Sequence, residues 1–436
     1  MEASGSTGEN SRPAAAELRG FSLSVWCVVA AFGAYFCMYG FRKPFTAGAY
    51  AGSPVWGVDL KTLLVILQVI GYTLSKFIGI RVIAEMAPRR RVGMLLGLVG
   101  IAQAALLGFG LTPAPWNCVW LFFNGLPLGM VFGLVLGMLE GRRQTEALAA
   151  GLCASFIVAD GVAKTVGATL LVAGVPPYWM PFAAGLLFTP PLLLFAWMLS
   201  RIPGPTERDL QVRSARTPMR AADRRAFLRK YGAGLALVGL TYLFITILRS
   251  VRADFAPEIW AGLGWSAQPG TFAGSETIVA AAVVTASGAT VVIRDNRRAF
   301  FAALGMALFG VSLIGVAVIG QGLGWFSPLG FLIAVGVGLY LPYIAVHTTL
   351  FERWIAMTGE RANVGYLMYL VDACGYLGYV AVLLARNFLG KPGDFAGFFT
   401  RLCGSLAAIS AVLLVLCWGY FATDRSRQTG TRVHSP

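Results

Sequence analysis

Two arginines stand where an apolar helix should hold no charge. Arg42 closes a run of about twenty mostly apolar residues near the start of the chain, and Arg249 closes another that begins near residue 231. Each follows a tyrosine, Tyr35 or Tyr242, by seven positions. An ionised side chain at mid-bilayer costs about 2.5–3.5 kcal/mol on insertion scales, so each must face protein or a water-filled cavity. A guanidinium offers five donors in a planar fork that fits phosphate or carboxylate in a bidentate way, whereas an ammonium is a mobile point charge. Two such forks suit a tetrahedral dianion or a carboxylate; a neutral sugar would not need them.

Other polar residues interrupt the apolar runs in stripes. Gln68, Tyr72 and Lys76 follow one another at four-residue steps, which places them on one helical face. Lys164 lies one turn after Asp160. Tyr340, Tyr343 and His347 span about 60° of helical arc, and Tyr369, Asp372, Tyr376 and Tyr379 about 80°. Arg42, Arg249, Lys76 and Lys164, with Tyr35, Tyr242, Tyr72, Tyr340, Tyr343, His347, Tyr369 and Tyr376, are therefore the candidate ligands of a wet, net-positive cavity. Asp160 and Asp372 are the candidates for coupling to protons. Plainer readings stand beside these. Arg42 and Arg249 could reach lipid headgroups from helix ends, and Lys43 and Arg252 are expected to do so. Lys76 could pair with Glu85. Asp160 and Lys164 could form an i, i+4 bridge that only makes both charges tolerable, and the tyrosines could be packing.

The elements that must hold these residues follow from composition. The 436 residues are 57% hydrophobic and 13% charged, with mean hydropathy +0.70, against roughly 45–50% apolar and 25% charged in soluble domains. Apolar runs predict twelve membrane-spanning helices near 21–41, 60–83, 92–113, 117–139, 147–172, 178–200, 231–249, 272–293, 299–320, 328–351, 364–385 and 400–421. The expected fold class is an all-α membrane protein of two pseudo-symmetric six-helix bundles. Its expected organisation is a tail over 1–20, a first bundle over 21–200, a basic linker over 201–230, a second bundle over 231–421 and a tail over 422–436.

The net charge of +15 is gathered in alternate loops, with Arg89, Arg90 and Arg91 in one, Arg142 and Arg143 in the next, then the linker, then Arg294, Arg297 and Arg298. That pattern predicts both termini in the cytoplasm of a cell membrane and contacts with anionic lipids, not a nucleic-acid partner. The first twenty residues lack the features of a secretory signal. The seven cysteines sit in apolar runs without a C-x-x-C, so they read as small buried residues. No metal or cofactor is expected. His347 and Glu352 share a helix but point about 140° apart, which argues against an acyltransferase pair and, with two histidines in the chain, against an enzyme.

The halves repeat one another. Besides the Tyr–Arg spacings, Glu140-Gly141-Arg142 after the fourth helix is matched by Glu352-Arg353 after the tenth, and Asp160 in the fifth by Asp372 in the eleventh. Gly79 with Glu85 is likewise matched by Gly288 with Asp295, each ahead of an arginine cluster. This layout resembles the major facilitator superfamily. Within it, Ala34-Tyr35-Phe36-Cys37-Met38-Tyr39-Gly40-Phe41-Arg42-Lys43-Pro44-Phe45 is similar to the first-helix segment of the organophosphate:phosphate antiporters. Tyr72-Thr73-Leu74-Ser75-Lys76-Phe77-Ile78 resembles their second-helix segment and Ala163-Lys164-Thr165-Val166-Gly167 their fifth. Leu248-Arg249 followed by Asp254-Phe255-Ala256-Pro257 resembles their seventh. The resemblance implies that Arg42 and Arg249 bind a phosphoryl group, assisted by Lys76. Lys164 stands where the family has histidine, and Asp372 has no counterpart.

These readings together lead to an expected small anionic substrate, carried by a single chain through alternating access, with exchange for inorganic phosphate favoured because an empty cavity full of cations resists closure. Proton symport of a carboxylate or other anion, and a transporter-like sensor of a phosphorylated ligand, are the alternatives.

Overall fold

The structure, a computed structural model, describes residues 11–50, 52, 54–139, 145–203, 221–291, 293–358, 364–389 and 394–423. It is helical almost throughout. With no water in a bilayer to satisfy peptide groups, an apolar chain must satisfy them internally, and the helix does so within each segment.

The first half comprises α1 (Ser11–Arg42), α2 (Leu60–Glu85), α3 (Arg91–Leu111), α4 (Cys118–Leu128), α5 (Val131–Leu139), α6 (Thr145–Val172) and α7 (Met180–Ser200). The second comprises α8 (Ala221–Asp254), α9 (Ala256–Gly262), α10 (Pro269–Val291), α11 (Asn296–Gly322), α12 (Pro328–Ala345), α13 (Phe351–Thr358), α14 (Val364–Leu389) and α15 (Phe395–Thr423). Counting α4 with α5 and α12 with α13 as single crossings, and leaving out the seven-residue α9, gives twelve. Among the described residues, ten of these are long and apolar enough to cross a membrane by length and composition. The other two are α10 and α14, diluted by small and polar residues, Glu276 in one and Asp372 in the other.

Besides the earlier starts of α1, α8 and α15 than the expected 21, 231 and 400, three elements differ from expectation in ways that bear on the site. The predicted single helix over 117–139 breaks between Leu128 and Val131, beside Pro127 and Gly129. The predicted helix ending at residue 249 continues to Asp254, because Arg252 and Asp254 find buried partners rather than headgroups. After Pro342, which removes one backbone donor, the tenth crossing widens into a π turn over Val346–Leu350 that carries His347. The loop arginines Arg142, Arg143 and Arg361 lie outside the described residues, as does Glu140; so do 204–220, most of the expected linker.

Glycines set the closest helix contact in the first half. A Cβ on Gly71 of α2 would strike the carbonyl oxygen of Phe122, one on Gly125 that of Gln68, and one on Gly129 that of Tyr72. The α2 and α4 backbones therefore pack directly on each other, the small-residue solution for helices in lipid, and α2 is held in the register that points Tyr72 and Lys76 inward. Across the two halves, α6 packs on α10 and α2 on α14. Crossings alternate in direction, so 43–50, 54–59, 112–117, 173–179 and 323–327 share one face, the one where α1 ends and α2 begins. Trp56, Trp116 and Trp325 are exposed there, as expected of an aromatic belt at a membrane interface.

Candidate functional site

Arg42 is placed by residues that satisfy the last carbonyls of α1. Gln68 Nε2 donates to Arg42 O at 2.9 Å and to Asn124 Oδ1 at 2.8 Å. Asn124 Nδ2 donates in turn to Phe41 O at 3.0 Å and to Ala102 O at 3.1 Å. The helix end is thus tied to α2, α3 and α4 at once. The guanidinium, in a residue only 3% exposed, lies over the ring of Tyr72 with its carbon 3.7 Å from the centroid, a cation–π contact strengthened by the absence of water.

Arg249, 8% exposed, comes from α8 in the other half. Its Nη2 donates to Tyr376 Oη at 3.1 Å, and its guanidinium lies over Tyr343, 4.5 Å from the centroid. The Nε of each arginine is buried without a hydrogen-bond partner. Orphaned buried donors call for a reason.

Beside Arg249 and the Tyr72 ring that Arg42 covers is a cavity of about 50 Å³, room for a few waters. Tyr35, Tyr72, Lys76, Arg249, Tyr343, His347, Asp372 and Tyr376 line it, together with Tyr39, which sequence reasoning passed over. Arg42 reaches it through Tyr72. Lys76 forms an ion pair with Asp372 across the two halves; the side chain of Glu85, the other expected partner, lies outside the described ones. Tyr242 Oη donates to Asp372 Oδ1 at 2.7 Å and approaches His347 Nε2 at 3.4 Å. His347 Nδ1 is 3.1 Å from Tyr343 O, and its ring stacks on Tyr343 at 4.5 Å. Tyr340 stands behind Phe156 and Tyr343 rather than on the cavity wall. The side chain of Tyr369 lies outside the described ones.

Toward the face where α1 ends, a second layer of charge closes the interface. Lys43 is buried and pairs with Asp254, with Asp160 Oδ1 at 3.9 Å; the expected interfacial lysine is a bridge between halves, because an acid at the end of α8 meets it. Tyr379 Oη donates to Asp254 Oδ2 at 2.9 Å. Lys164 pairs with Asp160 within α6 and does not line the central cavity, so the geometry does not bring it to the arginines. Arg252, expected at the headgroups, is buried, with Nη1 2.5 Å from Glu276 Oε1 and Nη2 donating to Leu332 O at 3.2 Å. Lys164, Arg252 and Glu276 surround a space of about 10 Å³. Further out, Lys61 pairs with Glu258 and donates to Thr46 O at 2.8 Å. Thr165 Oγ1 donates to Pro269 O at 2.7 Å while accepting from Ala273 N at 3.1 Å. Asn387 Nδ2 donates to Gly57 O at 2.7 Å.

Asn124, Lys61, Glu258 and Glu276 were not singled out from the sequence. A polar residue inside an apolar run was the available signal for Asn124 and Glu276. Lys61 and Glu258 sit at the edges of such runs and read as flanks.

The charges can now be counted. Among the described residues seven buried cations occur, Arg42, Lys43, Lys61, Lys76, Lys164, Arg249 and Arg252. Five of them pair with carboxylates of Asp254, Glu258, Asp372, Asp160 and Glu276. Among the described residues, Arg42 and Arg249 have no carboxylate at ion-pair distance. Two positive charges without an ion-pair partner among the described residues, one from each half, therefore stand against the same aromatic cluster.

A family described as "Family of unknown function (DUF5690)" matches residues 44–424. No curated protein sequence matches the chain. Among solved structures, a D-xylose-proton symporter superposes with TM-score 0.60 at 15% identity, covering 90% of this chain and 97% of that one. A bacterial homologue of the iron transporter ferroportin, in its outward-facing state, gives 0.58 at 15% identity over 91% and 99%. The human organic anion transporter MFSD10 (TETRAN) gives 0.54 at 17% identity over 90% and 99%. At such identities the likeness is one of fold, and the fold is that of the major facilitator superfamily.

Proposed function

We propose that this chain, which belongs to the DUF5690 family and is built on the major facilitator fold, carries a small divalent organic anion across the membrane by alternating access. The observation that carries this reading is the charge excess at Arg42 and Arg249. A buried ion without a counter-charge costs several kcal/mol, and the chain meets that cost twice, from opposite halves, beside one cavity. A dianion would neutralise both forks and draw the halves together around itself. A phosphoryl group suits best, since its oxygens can take two bidentate donors, and the segments around Arg42, Lys76 and Arg249 are those that resemble organophosphate:phosphate antiporters. Exchange is the favoured mode, because an empty passage past the midpoint must move two unneutralised guanidiniums through a dry interface.

Counterflow in proteoliposomes loaded with inorganic phosphate tests this, with a panel of external sugar phosphates, glycerol-3-phosphate, phosphonates and dicarboxylates. Accumulation of at least one phosphorylated anion, dependent on internal anion, is expected. No flux of any member of the panel overturns the reading.

A further inference from the structure

We infer that Asp372 is a proton-binding site coupled to the anion: when the anion takes Lys76, the released carboxylate takes up one proton from water and carries it across. This rests on the anion reading above.

The placement of Lys76 is the starting point. Its Nζ lies 5.0 Å from the centroids of both Tyr72 and Tyr376, the two rings that hold Arg42 and Arg249. An anion that engages both guanidiniums therefore comes within reach of this ammonium and competes with Asp372 for it. The cavity of about 50 Å³ is also too small for an organic phosphate as it stands. Since Lys76 and Asp372 both form its wall, parting them is a direct way to enlarge it. The bridge joins α2 to α14, and the anion replaces it as the tie between halves.

Asp372 is then left beside a dianion, with the Tyr242 hydroxyl still donating to its Oδ1. The groups facing it are Lys76 and Tyr72 from α2, Tyr242 and Arg249 from α8, Tyr343 and His347 from the tenth crossing, Tyr376 from its own helix, and Tyr35 and Tyr39 from α1. With Lys76 and both arginines engaged by the anion, no free cation among these remains to neutralise the carboxylate. Desolvation and the like charge of the ligand both favour its neutral form. No other acid lines the cavity among the described residues.

The surrounding hydrogen bonds accommodate both charge states. A carbonyl only accepts, so the contact between His347 Nδ1 and Tyr343 O places the proton of the neutral ring on Nδ1 and leaves Nε2 an acceptor. The Tyr242 hydroxyl, now donating to Asp372 Oδ1, can turn to His347 Nε2 and accept from a protonated Asp372 instead. In the step itself the carboxylate gains one proton from the solvent on the side of anion entry and Lys76 stays an ammonium. On anion release the carboxyl gives the proton to the opposite solvent and the ion pair re-forms.

The test is the number of protons taken up per anion bound by full-length protein in detergent. It is read by calorimetric titration with inorganic phosphate in buffers of different ionisation enthalpy. Wild type is expected to take up one more proton per phosphate than Asp372→Asn, with Asp372→Glu matching wild type. Equal proton uptake in wild type and Asp372→Asn overturns the inference, as does an Asp372→Glu protein that binds phosphate without the extra proton. Should wild type bind and move no anion of the panel, the transport reading fails first and this inference falls with it.

Discussion

The rings of Tyr72 and Tyr376 meet edge to face, 5.4 Å apart, across the interface between the two halves. Each carries an arginine: Arg42 stacks on the face of Tyr72, and Arg249 donates to the hydroxyl of Tyr376. One aromatic contact thus fixes two guanidiniums that belong to different halves. Anything that separates the rings separates the charges.

Replacing either fork by a point charge keeps the sign and loses the geometry. Arg42→Lys and Arg249→Lys are each expected to lower exchange by about 100-fold, corresponding to roughly 3 kcal/mol of lost charge-assisted bonding. The check is counterflow with matched protein per vesicle. Near-normal rates in both would remove the binding assignment.

Tyr376→Phe keeps the ring and deletes the hydroxyl that holds Arg249. A loss of about 1 kcal/mol in anion affinity, some fivefold, is expected from one hydrogen bond, with little change in thermal stability. Calorimetric titration measures the first and a thermal melt in detergent the second.

The Lys43–Asp254 pair tests the second charge layer. Asp254→Asn leaves a buried ammonium with Asp160 Oδ1 3.9 Å away and is expected to destabilise the closed arrangement by about 3 kcal/mol. A cysteine at Ser266, on the face where α1 ends, should serve as a control for surface labelling, while one at Tyr39 in the cavity should become more reactive to a membrane-impermeant thiol reagent from that face. Exchanging the charges, Lys43→Asp with Asp254→Lys, should restore part of the protection.

Asn124→Leu removes the donors to Phe41 O and Ala102 O and the acceptor for Gln68. The end of α1 loses its anchor. A destabilisation of about 2–3 kcal/mol is expected from unsatisfied buried carbonyls, visible as a lower melting temperature together with weaker anion binding. A protein that melts as wild type does and binds equally well would show that Arg42 needs no such support.

How far the sequence foretold this arrangement depends on the residue. The crossings were legible because lipid demands long apolar runs, and Lys76 and Asp372 were conspicuous because charge in such a run is costly. What pairs with what was not legible. Lys43 directly follows Arg42 and reads as a flank, yet its partner Asp254 is 211 positions away, and no periodicity reports a contact at that separation. Arg252 was misread for the same reason, its partner Glu276 lying on a neighbouring helix. Lys164 was drawn into the expected ligand set by sequence likeness, whereas its own helix supplies Asp160 four residues earlier. The break at Pro127 and Gly129 carried a local signal and could have been read.

The bridges between halves share one polarity. Lys43, Lys61 and Lys76 all belong to the first half, and Asp254, Glu258 and Asp372 all belong to the second. The two bundles consequently face each other like oppositely charged plates, and parting them anywhere along the seam stores electrostatic work in the gap. Water entering such a gap would screen that field and lower the work, so the rate at which the protein reopens should depend on how readily the seam wets, a property set by the tyrosines and phenylalanines between the bridges as much as by the charges themselves.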